Sequence, residues 1–272
     1  MTPVAKAASG KESRSVRLAI LFSGLLLCPC VAQAAPEEIQ VYIDDMDDPG
    51  EVGLDTHVNF VATGQSTGTP SEDSLHRLRI TPEFSYGLIP DLEAGLYLPL
   101  TTIDRSGHFH FGGAKVRLKY VLHPKGDRNV WYGANLEVGR VDRRLDVNPW
   151  NSELKGILGT RQGKWLLALN SNIDFVISGP QPERASLELT TKVSYQVSRH
   201  AAIGFETYNG VGPLRRLGQF GASGQSIYAA GDFSLGKWDL NLGIGRGFGS
   251  NPDRLIVKAI VGVPIEGLFR KE

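Results

Sequence analysis

A period of two dominates this 272-residue chain. From residue 50 onward apolar and polar residues alternate in segment after segment, and no i, i+3, i+4 apolar stripe lasts beyond two turns, so the pattern specifies strands rather than helices. Leu187, Leu189, Thr191, Val193, Tyr195 and Val197 share one face, against Glu188, Thr190, Lys192, Ser194 and Gln196 on the other. Leu78, Ile80, Phe84, Tyr86 and Leu88 oppose Arg77, Arg79, Thr81, Glu83 and Ser85 in the same way, as Val116, Leu118, Tyr120 and Leu122 oppose Lys115, Arg117 and Lys119. Applied along the chain, the alternation predicts twelve strands, at 52–63, 75–88, 92–103, 109–123, 130–140, 150–161, 165–177, 185–197, 201–209, 225–236, 238–248 and 254–265. The 32 glycines, without a collagen period, suit an all-β chain rich in turns and close strand contacts.

Connections after even-numbered strands are short, as at Ile89-Pro90-Asp91, Gln162-Gly163-Lys164, Ser198-Arg199-His200 and Gly236-Lys237. Those after odd-numbered strands are mostly longer, with stretches beginning at Gly64, Val141, Ser178 and Gly210. Short turns at one end and long loops at the other are expected of a transmembrane antiparallel up-and-down β-barrel, with both termini on the periplasmic side when the strand number is even. A soluble β-sandwich also alternates, but a core about 10 Å thick has no place for the full charges that most of these strands carry on one face. Aromatic residues near strand ends (Tyr86, Phe109, Tyr120, Trp131, Tyr132, Trp150, Trp165, Tyr195, Tyr228 and Trp238) suit the two interfacial girdles of a membrane barrel.

The first 34 residues read as an address. A basic, polar stretch precedes the ten-residue apolar run at 18–27, and Ala32-Gln33-Ala34 supplies small residues for cleavage before Ala35. The run is about half the length of a membrane-spanning helix. Both cysteines, Cys28 and Cys30, fall inside this signal, so the remainder has no disulfide or thiol-based metal site. Lys6, Lys11, Arg14 and Arg17 lie there against Glu12; removing these from 29 basic and 29 acidic residues leaves 25 and 28, with no basic surface for nucleic acid. The expected organisation is a cleaved signal at 1–34, an acidic periplasmic lead-in or small plug at 35–50, the barrel at 51–265 and a tail at 266–272.

The stretch IQVYIDDMDDPGEVGLDTHVNFVATG from Ile39, then LRITPEFSYGLIPDLEAGLYLPL from Leu78 and the closing LIVKAIVGVPI from Leu255, resembles the bacterial outer-membrane barrels of the family named for the meta pathway of phenol degradation. The resemblance covers roughly 39–265. It implies a transporter-like outer-membrane barrel and brings no catalytic motif or cofactor. The chain departs from outer-membrane barrels in general at its end, where Phe269 is followed by Arg270-Lys271-Glu272 instead of closing on the Phe read by the barrel-assembly machinery.

With the polar face turned inward, Arg77, Arg79, Lys115, Arg117 and Lys119 form a basic wall, with Glu83, Glu93, Tyr97 and His57 beside it. The opposite side offers Glu188, Glu206 and Asp232 along with Lys192. Opposed walls of opposite sign would favour small polar solutes in a narrow channel. The alternative is a structural barrel whose lumen is filled by salt bridges. Third comes an outer-membrane hydrolase, for which His57 with Asp55 and Asn59 is the one local base-and-acid grouping within a strand, with no serine in a nucleophile context. Asp44, Asp45, Asp47, Asp48 and Glu51 lack the spacing of a calcium loop, and His108 with His110 lacks a third ligand, so no metal is expected. Arg140, Arg143, Arg144, Arg215 and Arg216 in the loops suit the phosphates of lipopolysaccharide.

Overall fold

The computed structural model describes residues 38–66, 73–98, 101–143, 146, 148–180, 185–218 and 223–265. The signal at 1–34, Arg144 and the tail at 266–272 lie outside them. Fourteen strands follow in chain order: β1 (Val52–Thr63), β2 (Leu78–Ile89), β3 (Leu92–Tyr97), β4 (Thr101–Ile103), β5 (Phe109–Phe111), β6 (Gly113–Leu122), β7 (Val130–Val141), β8 (Trp150–Gln162), β9 (Trp165–Ser178), β10 (Ser186–Ser198), β11 (Ala201–Pro213), β12 (Gly224–Leu235), β13 (Trp238–Gly249) and β14 (Leu255–Pro264).

Every pairing between these strands is antiparallel, and β1 pairs with both β2 and β14, so the sheet closes on itself. β2 pairs with both β3 and β4, β3 with β6 and β4 with β5. Thus β3 with β4, and β5 with β6, are two broken staves, and the barrel has twelve staves rather than fourteen. The alternation at 92–103 and 109–123 predicts unbroken strands there. The second break falls at Gly112-Gly113, where Gly113 has φ +113° and a Cβ would lie 2.0 Å from the Arg140 carbonyl oxygen. Gly112 accepts a hydrogen bond from the Asp142 N–H at 2.7 Å, which carries the β6–β7 register one residue past the ends of both strands.

Burial runs opposite to that of a water-soluble protein. Thr190, Lys192 and Ser194 are buried on β10 while Val193 between them is exposed, and Phe205 is 59% exposed on β11 beside Glu206 at 1%. The apolar face lies outside and the charged face within. Two aromatics depart from the expected girdles: Trp131 is fully buried and Tyr228 nearly so, both inside the barrel. Trp131 sits opposite Gly159 on β8, where a Cβ would come within 2.1 Å of its ring, so the missing side chain makes the space the indole fills. Its neighbour Tyr132 takes the outward place.

A closed ladder resists unfolding cooperatively, since no edge strand is available to peel first. Unboiled protein on a detergent gel is therefore expected to run apart from boiled protein; equal mobility before and after boiling would contradict closure.

Candidate lumen site

The inward parity of β2, β3 and β6 brings together Arg77, Arg79, Glu83, Glu93, Arg117 and Lys119, all buried. Lys115 is half-buried beside them. Arg77, Lys115 and Arg117 are paired with nearby acids of the wall rather than across the barrel. Arg117 donates from Nε to Glu83 and from Nη2 to Glu93 Oε1 at 2.7 Å. Glu83 Oε2 also meets His57 Nε2 at 3.0 Å. Lys115 pairs with Glu137 at 2.9 Å, and Arg77 reaches Asp253 with two contacts of 3.0 and 3.2 Å. The Nε of Arg79 has no hydrogen-bond partner among the described residues.

The opposite side carries a second network. Glu206 accepts from Lys258 and from the Tyr208 hydroxyl at 2.9 Å, and lies 3.4 Å from Lys192. Lys192 donates to Asp232 at 2.7 Å, and Glu188 accepts from Asn172 at 3.3 Å. The picture of a basic wall facing an acidic one therefore gives way to two locally neutralised clusters, because a buried charge gains more from a carboxylate in contact than from a distant wall. Lys258, Glu137 and Lys155 join these clusters without standing out in the sequence. The inward parity of Lys258 in LIVKAIVGV, a lone charge in an apolar run, was the available signal for it.

Between the clusters lies the chain's own amino-terminal segment, residues 38–48, which belongs to no strand. Ile39, Val41 and Tyr42 are buried and pack with the inward Val61, Val121, Trp131, Ile157, Tyr208 and Ile256. The Ile39 carbonyl accepts from Lys258 at 2.9 Å in the middle of β14. Asn170 on β9 holds Tyr42 from both sides, accepting from its N–H at 2.7 Å and donating to its carbonyl at 3.0 Å. The Tyr42 hydroxyl meets that of Tyr97 at 2.8 Å, and Tyr97 donates to Glu38 at 2.8 Å. Three cations surround the Tyr42 ring, with Lys155 Nζ 3.9 Å, Lys119 Nζ 5.1 Å and the Arg117 guanidinium 5.7 Å from its centroid.

Of the acidic residues of the segment, Asp44 and Asp47 are half-buried against the wall, whereas Asp45 and Asp48 are exposed. Asp44 accepts from Arg161 at 2.5 Å and contacts His123 at 3.2 Å, both at the short-turn end. Asp45 accepts from Lys119 at 2.8 Å, and the Asp47 N–H donates to Glu93 at 2.7 Å. The segment thus descends from mid-barrel to the short-turn rim, where Gly50 bonds to Gly87 at 2.8 Å before β1 begins. Burial pushes the Asp44 carboxyl up, but Arg161 and His123 outweigh it and hold the group below its ordinary value. Burial dominates at Asp47 and raises it.

In the loops, His110 and His108 contact Asp104 at 3.1 and 3.3 Å and hold its carboxyl down at about 2. Among the described residues no three His, Cys, Asp or Glu side chains are grouped to hold a metal ion. Arg140, Arg143, Arg215 and Arg216 are exposed.

Removing one member of a buried charge cluster leaves the others unpaired, which costs roughly 3–5 kcal/mol. Glu206→Gln, which strands the Lys258 charge and leaves Lys192 only Asp232, should lower stability by about that much in denaturant unfolding, and adding Lys258→Met should recover part of it. A single variant indistinguishable from the parent would show that these amines are solvated.

No family model matches the chain, and no curated protein matches it. Solved structures do share its fold. An outer-membrane channel from Pseudomonas putida F1 is 14% identical with a TM-score of 0.56, the match covering 84% of this chain and all of that one. The KdgM porin is 11% identical with a TM-score of 0.51, and the NanC porin 10% with 0.50, each match covering 78% of this chain and 98% of the other. At such identities the likeness concerns architecture: a closed antiparallel barrel of this size and connectivity.

Proposed function

We propose that the protein is a passive channel of the bacterial outer membrane for small polar molecules, closed at rest by its own residues 38–48. The observation that carries this reading is the nature of the occupant. The lumen is filled by a stretch outside every strand, held by side-chain contacts to the wall, and behind it lies a surface of paired charges and amides suited to hydrated solutes. The exposed apolar exterior and the export signal expected at 1–34 support the location. That porins and a channel share the fold supports the activity. The exposed loop arginines would meet lipopolysaccharide on the long-loop side, and the barrel-assembly machinery would insert the chain.

A filled structural barrel is the second reading, favoured by the ion pairs of Arg117 and Glu206. These bridge nearby staves, which leaves the segment as the part that blocks the middle. Planar-bilayer recording separates the two. Deleting 38–48 should turn a nearly silent barrel into a steadily conducting one, with Tyr42→Ala combined with Asn170→Ala giving frequent partial openings. A deletion variant that folds and stays silent would mean that wall side chains alone fill the lumen.

Seating of the segment should also depend on pH, with opposite signs at two residues. Asp44, lowered when seated, contributes above its ordinary value and loses that contribution as pH falls through the depressed value. Asp47, raised when seated, contributes below its ordinary value and loses it as pH rises through the raised one. The segment is therefore held most firmly near the ordinary aspartate value of about 4. Opening frequency should pass through a minimum there, and Asp44→Asn should abolish the acid limb alone. A monotonic profile would contradict the two-group account.

A further inference from the structure

The exterior of the barrel is apolar, yet it is not smooth. Register sets Ile203 opposite Gly231, Gly231 opposite Leu242 and Leu242 opposite Ala259, so four successive staves from β11 to β14 present large and small outward residues side by side. One step along, Ala229 lies between Phe205 and Ile244. The small side chains of Ala229, Gly231 and Ala259 leave a dent of about 950 Å³ that extends toward Trp165 and Tyr195 at the short-turn end.

That end is where the charge lies. The short turns that lead into β9, β11 and β13 each carry an exposed cation: Lys164, Arg199 and Lys237. None of them joins an ion pair among the described residues, and the turns at 162–164, 198–200 and 236–237 contain no acid. Lys164 Nζ stands 5.8 Å from the Tyr195 ring, which packs edge-on against Trp165 at 4.9 Å. An apolar trough thus ends at an aromatic shelf with unpaired positive charge beyond it. That sequence of environments matches the acyl chain, glycerol backbone and phosphate of a lipid, read from the bilayer centre outward. A second barrel docked on the same face by two-fold symmetry would bring these cations against their own copies, which disfavours a dimer there.

We propose that the dent on β11 to β14, with Lys164, Arg199 and Lys237 at its rim, is a binding site for a glycerophospholipid of net negative charge. An acyl chain lies over Ala229, Gly231 and Ala259, and the anionic head group lies in the field of the three turn cations spaced along the rim. The proposal rests on the membrane placement given above but not on the channel activity.

Native mass spectrometry of the full chain in detergent tests it, with phosphatidylglycerol and phosphatidylethanolamine of identical acyl chains added in equal amounts. Phosphatidylglycerol should be retained preferentially. Each of Lys164→Gln, Arg199→Gln and Lys237→Gln should weaken that retention by up to roughly fivefold and affect phosphatidylethanolamine less, because its ammonium offsets the phosphate charge. Ala229→Leu with Ala259→Leu, which fills the trough at lipid-facing positions, should reduce retention of both lipids. Heat-modifiable gel mobility verifies that each variant still forms a barrel. Equal retention of the two lipids, or variants that bind like the parent, would overturn the site while leaving the membrane barrel intact. Crosslinked dimers through this face without bound lipid would overturn it in favour of a second copy. A chain that stays soluble without detergent would overturn the membrane placement as well.

Discussion

Backbone N–H and C=O groups that face hydrocarbon must find partners within the wall, because lipid offers none. Pairing of β1 with both β2 and β14 meets that demand by removing the two edges an open sheet of this size would expose. The reversed burial follows. Once the wall is closed, outward positions are free to be Leu, Val, Ile and Phe, while inward positions must satisfy polar groups in a confined space. Broken staves are tolerated at β3–β4 and β5–β6 because β2 continues to pair with both pieces of the first one.

Confinement then dictates how the interior charges are arranged. A guanidinium or ammonium that is buried gains little from a carboxylate across the barrel and much from one in contact. Arg117 with Glu83 and Glu93, and Glu206 with Lys258 and Lys192, are consequences of that steep distance dependence. The volume between the two clusters is taken by the chain itself. Residues 38–48 occupy it with apolar side chains toward Trp131 and Tyr208, backbone amide groups toward Asn170, and acids toward Arg161 and Lys119. Apolar, amide and acidic groups of the segment thus each meet their counterparts on the wall, and the segment leads directly into β1.

Much of this architecture was legible in the sequence because a period of two maps directly onto the two faces of a strand. The parity of Arg77, Arg79, Arg117 and Lys119 followed from their neighbours alone, and so did the alternation of short and long connections. Trp131 and Tyr228 were misassigned since aromatic residues near strand ends serve either face; what turned Trp131 inward was the space opposite it at Gly159, a cross-strand relation that needs register. The acidic segment was ambiguous for a related reason: nothing in DDMDD says whether water or Lys119 and Arg161 will receive its charges.

Alternation along the chain is enough to make it all-β, to give its strands the amphipathicity a membrane barrel requires, and to set which residues of each strand share a face. These are properties of consecutive residues, set by backbone geometry within one strand. Which charges meet, where the two staves break, and the seating of residues 38–48 inside the wall they precede emerge with folding of the whole barrel. Those outcomes depend on register and closure, which bring Lys258 to Glu206 and Tyr42 to Asn170 across more than fifty and more than a hundred residues of chain. Local periodicity carries no information about pairings at such separations.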